Sequence, residues 1–565
     1  MIIRGSNIIS SLGFSTEENF RNVLAGNSGL KYCKRLFGLP EPVFASIIDR
    51  ERLSDEFNAV KGLLKTCQGG EQQFTCLEMA AIVSVIDANR DANIDLDSEK
   101  TLFILSTTKG NVDLLSVDGS QKSMLWYSAE IIAHSFGNSN MPTVVSNACV
   151  SGAAAIITAI RELKSGKYDN IVVVGVDLLS RFIVSGFQSL RALAGDFCRP
   201  FDRKRCGLNL GEAAATVIIS RKRNDNGDMA VNIMAGAIRN DANHISSPSR
   251  TGEGCFRAIA SLYPYIKPSD DSIAFINAHG TATQYNDAME SAAIMRAGLQ
   301  DIPVTSLKGY FGHTLGAAGV LESIISIRAL QEGVIPATKG FESQADDCPL
   351  KIDNKTGKSG KTRFLKLISG FGGVNAALVF EKSQVSVQQN LPSPEFKILK
   401  SCSLSFTDTT QMNGYYRSMN INYPRFFKMD QLSKLGFLAS ETIFKDEKNR
   451  FAEREDIAVI CFNSTASMDA DMMYLESINP QKDYFPSPAI FVYTLPNIVT
   501  GEISIRNKFF GETGFFVLKS YDRDFMLQSI KNCISDNFTN FALCAWIDIA
   551  DNHREIKMIY VEKCG

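Results

Sequence analysis

Short apolar runs alternate with longer segments of helical periodicity over the first two thirds of the chain. Several runs are apolar at nearly every position, as expected for strands covered on both faces of a sheet. This alternation predicts an α/β protein in which helices and sheets form layers. The predicted strands are residues 101–105, 143–146, 171–174, 214–219, 273–277, 364–368 and 376–380, and the predicted helices are residues 74–89, 152–164, 287–297 and 316–330.

A polar, proline-bearing segment divides the chain. It predicts a first domain over residues 1–382, a linker over 383–397 and a second α/β unit over 398–565. The strands predicted in the second unit are residues 457–462, 515–518, 541–549 and 556–561.

The second unit resembles part of the first. Residues 101–108 match 457–464, and residues 170–177 match 541–548. Extending the second match without gaps places Cys149 opposite Ser520, so the second unit would copy half of the first without its thiol. The alternative is that any two α/β segments resemble each other at this level.

Composition narrows the class of protein. The chain has 565 residues, is 45% hydrophobic and carries a net charge of −2, which gives no general electrostatic case for nucleic-acid or membrane binding. Its 13 cysteines show no CxxC spacing, which disfavours a zinc site or a disulfide scaffold. With no recognisable signal peptide and no apolar run of membrane-spanning length, we expect a cytoplasmic protein.

Cys149 lies on a polar turn between a predicted strand, residues 143–146, and a predicted helix of small residues, 152–164. Unpaired N–H groups and the helix dipole favour negative charge at a helix start. The position therefore predicts a lowered thiol pKa and a reactive cysteine. The alternative is a buried structural cysteine, which is common in protein cores.

Two histidines lie in glycine-containing loops. His279 follows the predicted strand 273–277, at the end of a strand where α/β sites gather. His313 precedes the predicted helix that carries Glu322, and residues 370–373 form a tight connection between two strands. The other three histidines match no such pattern, and we expect them to be structural or surface residues: His134, His244 and His553.

The order and spacing of these stretches resemble the β-ketoacyl-[acyl-carrier-protein] synthases, the condensing enzymes of fatty-acid and polyketide synthesis. The similarity covers about residues 1–382 and includes segments 10–13, 24–29, 198–202, 210–214 and 241–244. It points to the elongating Cys-His-His branch. The segment 370–373 lacks the second cysteine of a thiolase. The resemblance implies a layered α-β-α-β-α thiolase-like fold of two similar halves, followed by a degenerate half-domain.

The resemblance also implies roles for individual residues. Cys149 would carry the acyl group, and His279 and His313 would stabilise the enolate formed by decarboxylation of a malonyl thioester. Lys308 would support the site, and Phe371 would serve the oxyanion hole and act as a gate. Glu322 would support Lys308, although an exposed helix carboxylate is the alternative. No metal or other cofactor is implied, because the substrates arrive on the phosphopantetheine of an acyl carrier protein.

The sequence also suggests binding partners. The resemblance implies a homodimer, or a heterodimer with another condensing-enzyme subunit. Two basic clusters, at residues 199–205 and 221–223, are either carrier-docking patches or ordinary solvated charges. The main alternative function is a non-catalytic chain-length partner subunit; a cysteine hydrolase is disfavoured. The fused second unit favours a specialised pathway, while acyl chain length stays open.

Overall fold

The computed structural model describes residues 1–65, 73–115, 121–221, 230–268, 271–384, 394–479, 484–550 and 553–564. The strands of these residues are β1 Ile2–Ser10, β2 Leu30–Cys33, β3 Val43–Ser46, β4 Thr101–Ser106, β5 Thr143–Val145, β6 Asn170–Asp177, β7 Leu210–Gly211, β8 Ala213–Ser220, β9 Ala230–Asn240, β10 Ile273–Asn277, β11 Val304–Thr305, β12 Val334–Ile335, β13 Gly357–Lys358, β14 Arg363–Gly370, β15 Val374–Ser383, β16 Phe396–Phe406, β17 Ile457–Asn463, β18 Thr513–Val517, β19 Phe541–Ala550 and β20 His553–Lys563.

The helices of the same residues are α1 Thr16–Leu24, α2 Arg50–Val60, α3 Cys76–Ala92, α4 Leu125–Ser135, α5 Ser151–Ser165, α6 Arg181–Ser189, α7 Glu253–Ala260, α8 Gln284–Arg296, α9 Lys308–Phe311, α10 Ala318–Glu332, α11 Thr409–Ser418, α12 Gln431–Phe444, α13 Met468–Ser477, α14 Pro488–Tyr493, α15 Ile498–Asn507 and α16 Arg523–Ile534. None of these helices is long and apolar enough to cross a membrane.

Each predicted strand and helix is present, with both ends within about three residues of the prediction. The predicted linker, 383–397, is too wide, because Ser383 ends β15 and Phe396 begins β16. Residues 385–393 of that linker lie outside the described residues. The strands β9 and β16 had no counterpart in the prediction; β16 is largely exposed at an edge, so it lacks the apolar run that marks a buried strand.

One pattern of five strands occurs three times. The first section has the order β5-β4-β6-β8-β1, the second β11-β10-β14-β15-β9 and the third β18-β17-β19-β20-β16. In each section the first three strands are parallel and the last two join antiparallel. The repeat suspected from the sequence is therefore a repeat of topology, and Ser520 lies between β18 and α16 as Cys149 lies between β5 and α5.

Helices separate the first two sections. α5 and α10 lie in the middle layer, and their residues share a core with strands of both sections. They can approach closely because glycines face each other: a Cβ on Gly152 would lie 2.8 Å from the backbone nitrogen of Val320. α3 covers the outer face of the first section, and α7 and α8 cover that of the second. The predicted layered α/β fold is confirmed.

The third section continues the sheet of the first. β18 pairs antiparallel with β5, with Val145 opposite Phe516. Just beyond the pair, the backbone nitrogen of Ser146 donates to Phe515 O at 3.1 Å, and Asn147 Nδ2 donates to Thr513 O at 3.1 Å. The strand that leads to Cys149 is therefore held on one side by the C-terminal unit.

Charged groups also join the two units. Arg161 of α5 makes a two-point ion pair with Glu512, with both N···O distances 2.6 Å. Lys109 pairs with Asp471 at 2.6 Å and is almost completely buried. Buried pairs need such matched geometry because each charge loses its hydration. The two units are therefore joined by buried ion pairs as well as by the pairing of β18 with β5.

Candidate active site

Cys149 sits on a tight turn between β5 and α5. Ala148, just before it, has a φ of 50°, a left-handed conformation that costs energy for a residue with a side chain. The Ser151 hydroxyl stabilises the turn: it accepts from the backbone nitrogen of Asn147 at 2.8 Å and donates to Ala148 O at 2.6 Å. This turn places the half-buried thiol at the start of the helix.

His313 touches the thiol. Its Nε2 lies 2.9 Å from Cys149 Sγ. The loop holds the ring through the backbone: His313 N donates to Asn209 O at 2.7 Å, and Gly211 N donates to His313 O at 3.0 Å. The buried Nδ1 makes no hydrogen bond with any residue of the described ranges, so neither tautomer is imposed by a partner there.

His279 follows β10 and faces His313. Their ring centroids are 5.1 Å apart, and the planes are nearly perpendicular. Glu290 on α8 fixes the loop, since its two carboxylate oxygens accept from the backbone nitrogens of His279 and Gly280, each at 2.7 Å. The cysteine and both histidines expected from the sequence thus lie together.

Lys308 and Glu322 lie directly behind His279. Lys308 Nζ is 3.3 Å from His279 Nδ1 and forms a close ion pair with Glu322. An ammonium group can only donate, so His279 Nδ1 accepts and its Nε2 carries the hydrogen. Both charged residues are buried. The alternative of an exposed helix carboxylate at Glu322 is wrong.

Burial dominates the ionisation of the site. It raises the pKa of the Cys149 thiol to about 12, although the Lys308 ammonium opposes this rise. Burial, helped by Lys308, lowers the pKa of His279 and of His313 well below the usual value. The sequence-based expectation of a lowered thiol pKa is thus contradicted, because desolvation of the thiolate outweighs the favourable charges around it.

These groups open into one cavity of about 590 Å³. Its wall includes Cys149, His279 and His313, and much of the rest is apolar. Part of the wall comes from the third section, including Phe491 of α14 and Leu495 just after it. The volume is in the range of pockets that enclose small organic ligands.

Phe371 stands at the cavity, on the tight connection between β14 and β15. Gly370, beside it, lies against the thiol turn: a Cβ there would be 3.3 Å from the backbone nitrogen of Cys149. The carbonyl of Phe371 accepts a hydrogen bond from Asn497 Nδ2 at 2.8 Å. The predicted turn is present, and the C-terminal unit contacts it.

The remaining histidines lie outside this cluster. His134 and His553 are exposed, as expected. His244 is exposed at the cavity wall, where its Nδ1 accepts from the backbone nitrogens of Ser246 and Ser247 at 3.1 and 3.2 Å. That local turn agrees with a structural role.

The first basic cluster is largely neutralised. Its three arginines each pair with a carboxylate: Arg199 with Glu342 at 3.0 Å, Arg203 with Asp346 at 2.9 Å and Arg205 with Asp347 at 2.6 Å. These pairs favour the interpretation as ordinary surface charges. In the second cluster, residues 222 and 223 lie outside the described residues.

Sequence reasoning missed two buried charged residues of the site. Glu290 lies on α8 together with two other charged residues, Asp287 and Arg296, so nothing in the sequence of this helix singled it out. Lys366 lies inside the strand predicted over residues 364–368, where a lysine is unexpected. A charged residue within an apolar strand is a signal of a paired buried charge.

The donor atoms of Cys149, His279 and His313 lie within 4.8 Å of one another. A small atom or group can therefore meet all three at once. That no metal or other cofactor is needed stays a prediction.

The layered α/β fold thus places a thiol on a strained turn beside two imidazoles in one cavity. Two family models match: the β-ketoacyl synthase N-terminal domain over residues 80–225 and the C-terminal domain over residues 230–342. Residues 80–342 therefore match both domains of the β-ketoacyl synthase family, and the chain is a condensing enzyme of the acyltransferase type.

Curated relatives agree. The putative mitochondrial 3-oxoacyl-[acyl-carrier-protein] synthase of Schizosaccharomyces pombe is 29% identical over 427 residues, which cover 68% of this chain and 99% of the relative. The tetracenomycin polyketide synthase ketoacyl synthase alpha subunit of Streptomyces glaucescens is 31% identical over 265 residues, 44% of this chain and 62% of the relative. The match to that second relative spans less than two thirds of its length.

Solved structures share the fold. The ishigamide ketosynthase/chain length factor has a TM-score of 0.60 at 24% identity, covering 68% of this chain and 98% of that chain. The PfaC keto synthase-chain length factor has a TM-score of 0.78 at 15% identity and covers 100% of this chain and 78% of that chain. The structural similarity to the PfaC protein therefore extends over the third section of this chain, β16–β20.

Proposed function

We propose that this chain is a 3-oxoacyl-[acyl-carrier-protein] synthase that condenses malonyl-carrier protein with an acyl chain held on Cys149. The 2.9 Å contact between Cys149 Sγ and His313 Nε2, with His279 on the same cavity, carries the proposal. The relatives named 3-oxoacyl-[acyl-carrier-protein] synthase support it.

Acylation begins from a neutral thiol and a neutral imidazole. His313 Nε2 takes the thiol proton as Sγ attacks the thioester carbonyl, and returns it to the departing carrier thiolate. The backbone N–H groups of Cys149 and Phe371 stabilise the tetrahedral oxyanion. The atoms balance: one thioester bond breaks, and another forms on Cys149.

Condensation uses both imidazoles as donors. Before condensation the His313 proton shifts from Nδ1 to Nε2, which no partner of Nδ1 in the described ranges opposes. The malonyl thioester loses CO₂, and the electron pair of the broken C–C bond forms an enolate whose oxygen accepts from His279 Nε2–H and His313 Nε2–H. Lys308, on His279 Nδ1, keeps that ring in the required tautomer. The enolate carbon then attacks the acyl group and Cys149 leaves as a thiolate. The thiolate takes one proton from water, and a 3-oxoacyl-carrier protein is released.

The test separates the two half-reactions. After incubation with acyl-carrier protein, peptide mass spectrometry should find the acyl mass on the Cys149 peptide of the wild type and none in Cys149→Ala. His279→Ala should still acylate, but condense about 10²–10³-fold more slowly. His134→Ala, an exposed histidine, serves as control. Absence of acylation in the wild type, or undiminished condensation by His279→Ala, contradicts the proposal.

We further propose that the third section takes the place of a partner subunit. Its β18 occupies the edge of β5, and Phe491 and Leu495 complete the wall of the acyl cavity. The structural similarity to the ishigamide and PfaC ketosynthase–chain length factors supports this assignment. We therefore propose that the chain supplies its own partner, in place of the homodimer or heterodimer expected from the sequence. We also propose that it acts in the cytoplasm.

This assignment makes Phe491 a limit on product length. Its ring packs over Gly186, where a Cβ would lie 2.0 Å from the ring, and contacts Phe187 at a centroid distance of 5.6 Å. Phe491→Ala should shift products to longer chains, and Phe485→Ala, at a phenylalanine 77% exposed on the same unit, should leave them unchanged. If Phe491→Ala gave products of unchanged length, Phe491 would not limit the acyl chain, and this part of the proposal would be wrong.

A further inference from the structure

Lys366 is a fully buried lysine that the mechanism above does not use. It lies on β14 with 0% of its surface exposed. Its Nζ donates to Glu322 Oε2 at 2.5 Å and to Leu367 O at 2.9 Å. Burying an ammonium group is costly, so such a residue is retained only where its charge is matched.

Glu322 is held by two lysines at once. One carboxylate oxygen pairs with Lys308 and the other with Lys366. With both oxygens engaged, the carboxylate cannot rotate without breaking one ion pair. Lys308, held by the first oxygen, reaches His279 Nδ1 at 3.3 Å. A continuous line of contacts therefore leads from Lys366 through Glu322 and Lys308 to His279.

Lys366 and His279 also share a rigid support. β10 and β14 are parallel neighbours, and Lys366 lies opposite Asn277, two residues before His279. The buried Asn277 side chain makes no hydrogen bond with any residue in the described part of the chain. Lys366 is thus connected to the His279 loop in two ways, through the pairing of β14 with β10 and through the ion pairs of Glu322.

The balance of charge requires the second lysine. Burial would raise the pKa of Glu322, but the ammonium groups of Lys308 and Lys366 bring it below its ordinary value. Glu290, which holds the His279 loop, is a further carboxylate whose charge acts on Lys366. Two ammonium groups thus face two carboxylates behind the imidazoles. Without Lys366, only Lys308 would be left to pair with Glu322 among the residues that the structure describes.

We propose that Lys366 is a positioning residue for condensation: its ammonium group holds Glu322, which fixes Lys308 against His279. The inference rests on the proposed function, since it concerns the step in which His279 donates to the enolate. Lys366 Nζ donates to Glu322 and Leu367 O and, among the described residues, not to Cys149 or His313, so its loss should slow acylation of Cys149 far less than condensation. This division between the two half-reactions separates positioning from general structural support.

The test compares Lys366→Met with the wild type in both half-reactions. Acylation of Cys149 should stay within about 2-fold, whereas kcat for condensation should fall by about 10–100-fold with little change in KM for malonyl-carrier protein. Lys382→Ala is the matched control. That lysine lies on the adjacent strand β15, and within the described ranges its Nζ donates only to a backbone carbonyl, Gln331 O, at 2.9 Å.

Chemical rescue gives a second readout that a structural role does not predict. Lys366→Ala leaves space for a small cation, so added ethylammonium should restore condensation in a saturable manner. Propanol, of similar size but uncharged, should not. Rescue by both compounds alike, or by neither, indicates that the charge beside Glu322 is not what condensation needs and overturns the proposal.

The outcomes also separate this inference from the proposed function. If the wild type does not condense, the proposed function fails. If the wild type condenses and Lys366→Met keeps its kcat, or loses acylation and condensation equally, only the positioning role fails. Should Lys366→Met not fold, Lys366→Gln is measured instead: its amide donates to Glu322 without a charge, and an undiminished kcat overturns the proposal.

Discussion

Asn497 Nδ2 donates a hydrogen bond to the backbone carbonyl of Phe371 at 2.8 Å. This contact joins the C-terminal unit to the turn beside the thiol. The backbone of α15 lies equally close, since a Cβ on Gly501 would be 2.7 Å from Gly372 O. The third section therefore supports the Phe371 turn directly.

The first prediction concerns that support. Asn497→Ala should slow Cys149 acylation by about 3–10-fold and cost about 1–3 kcal/mol in the free energy of unfolding, because it leaves the carbonyl of Phe371 without this hydrogen bond. Gly501→Ala should lower Tm by several degrees, because its Cβ collides with Gly372. Gly414→Ala, on α11 where a Cβ meets no atom within 4 Å, is the control and should not lower Tm. If all three variants had the same Tm, the contact between α15 and the Phe371 turn would not stabilise the protein, contrary to this prediction.

The second prediction concerns pH. Because burial raises the pKa of Cys149 to about 12, the thiolate fraction should stay small at neutral pH and grow about 10-fold per pH unit in the alkaline range. Iodoacetamide alkylation of Cys149, followed by mass spectrometry with exposed Cys76 as reference, should rise without a plateau up to pH 10. A plateau below pH 8 would contradict this prediction. It would show that the start of α5 stabilises the Cys149 thiolate by more than burial destabilises it.

The third prediction concerns the junction of the two units. Arg161→Ala or Glu512→Ala leaves one buried charge unpaired, and each should cost about 3–5 kcal/mol in the free energy of unfolding. Lys519→Ala, which breaks an exposed 3.0 Å pair with Glu130 across the same junction, should cost at most about 1 kcal/mol. Urea titration measures all three.

The same junction predicts the mass in solution. With β5 already paired to β18, light scattering should find a single chain of 62.1 kDa. A stable dimer that survives dilution would mean that another surface associates, and the proposed replacement of a partner subunit would lose its main consequence.

The fourth prediction concerns Glu290. The two carboxylate oxygens of Glu290 accept hydrogen bonds from the backbone nitrogens of His279 and Gly280. Glu290→Gln replaces one of these oxygens with an NH₂ group, which can only donate. The unmade hydrogen bond should cost about 1–3 kcal/mol and slow condensation by about 10-fold or more, with acylation less affected. Glu332→Gln, at the exposed end of α10, should be silent in both assays. If Glu290→Gln changed neither stability nor the rate of condensation, the His279 loop would keep its conformation without Glu290, contrary to this prediction.

Much of the fold and of the site followed from local pattern. Apolar runs and helical periodicity depend on neighbours along the chain, so strands such as β4 and β10 were predicted nearly to the residue. The grouping of Cys149, His279 and His313 was also foreseen, since all three follow strands or open helices where α/β sites gather. The edge strand β16 was missed, because its exposed residues lack that periodicity.

The tertiary structure decided what depends on distant residues. The amino-acid sequence by itself determined the α/β class and the thiol–imidazole site, because those arise from short-range pattern and motif order. Only the fold decided that Lys366 meets Glu322, that Phe491 enters the acyl cavity and that β18 covers β5. It also reversed the expected direction of the Cys149 pKa, because desolvation is set by everything packed around a thiol, whatever its distance along the chain.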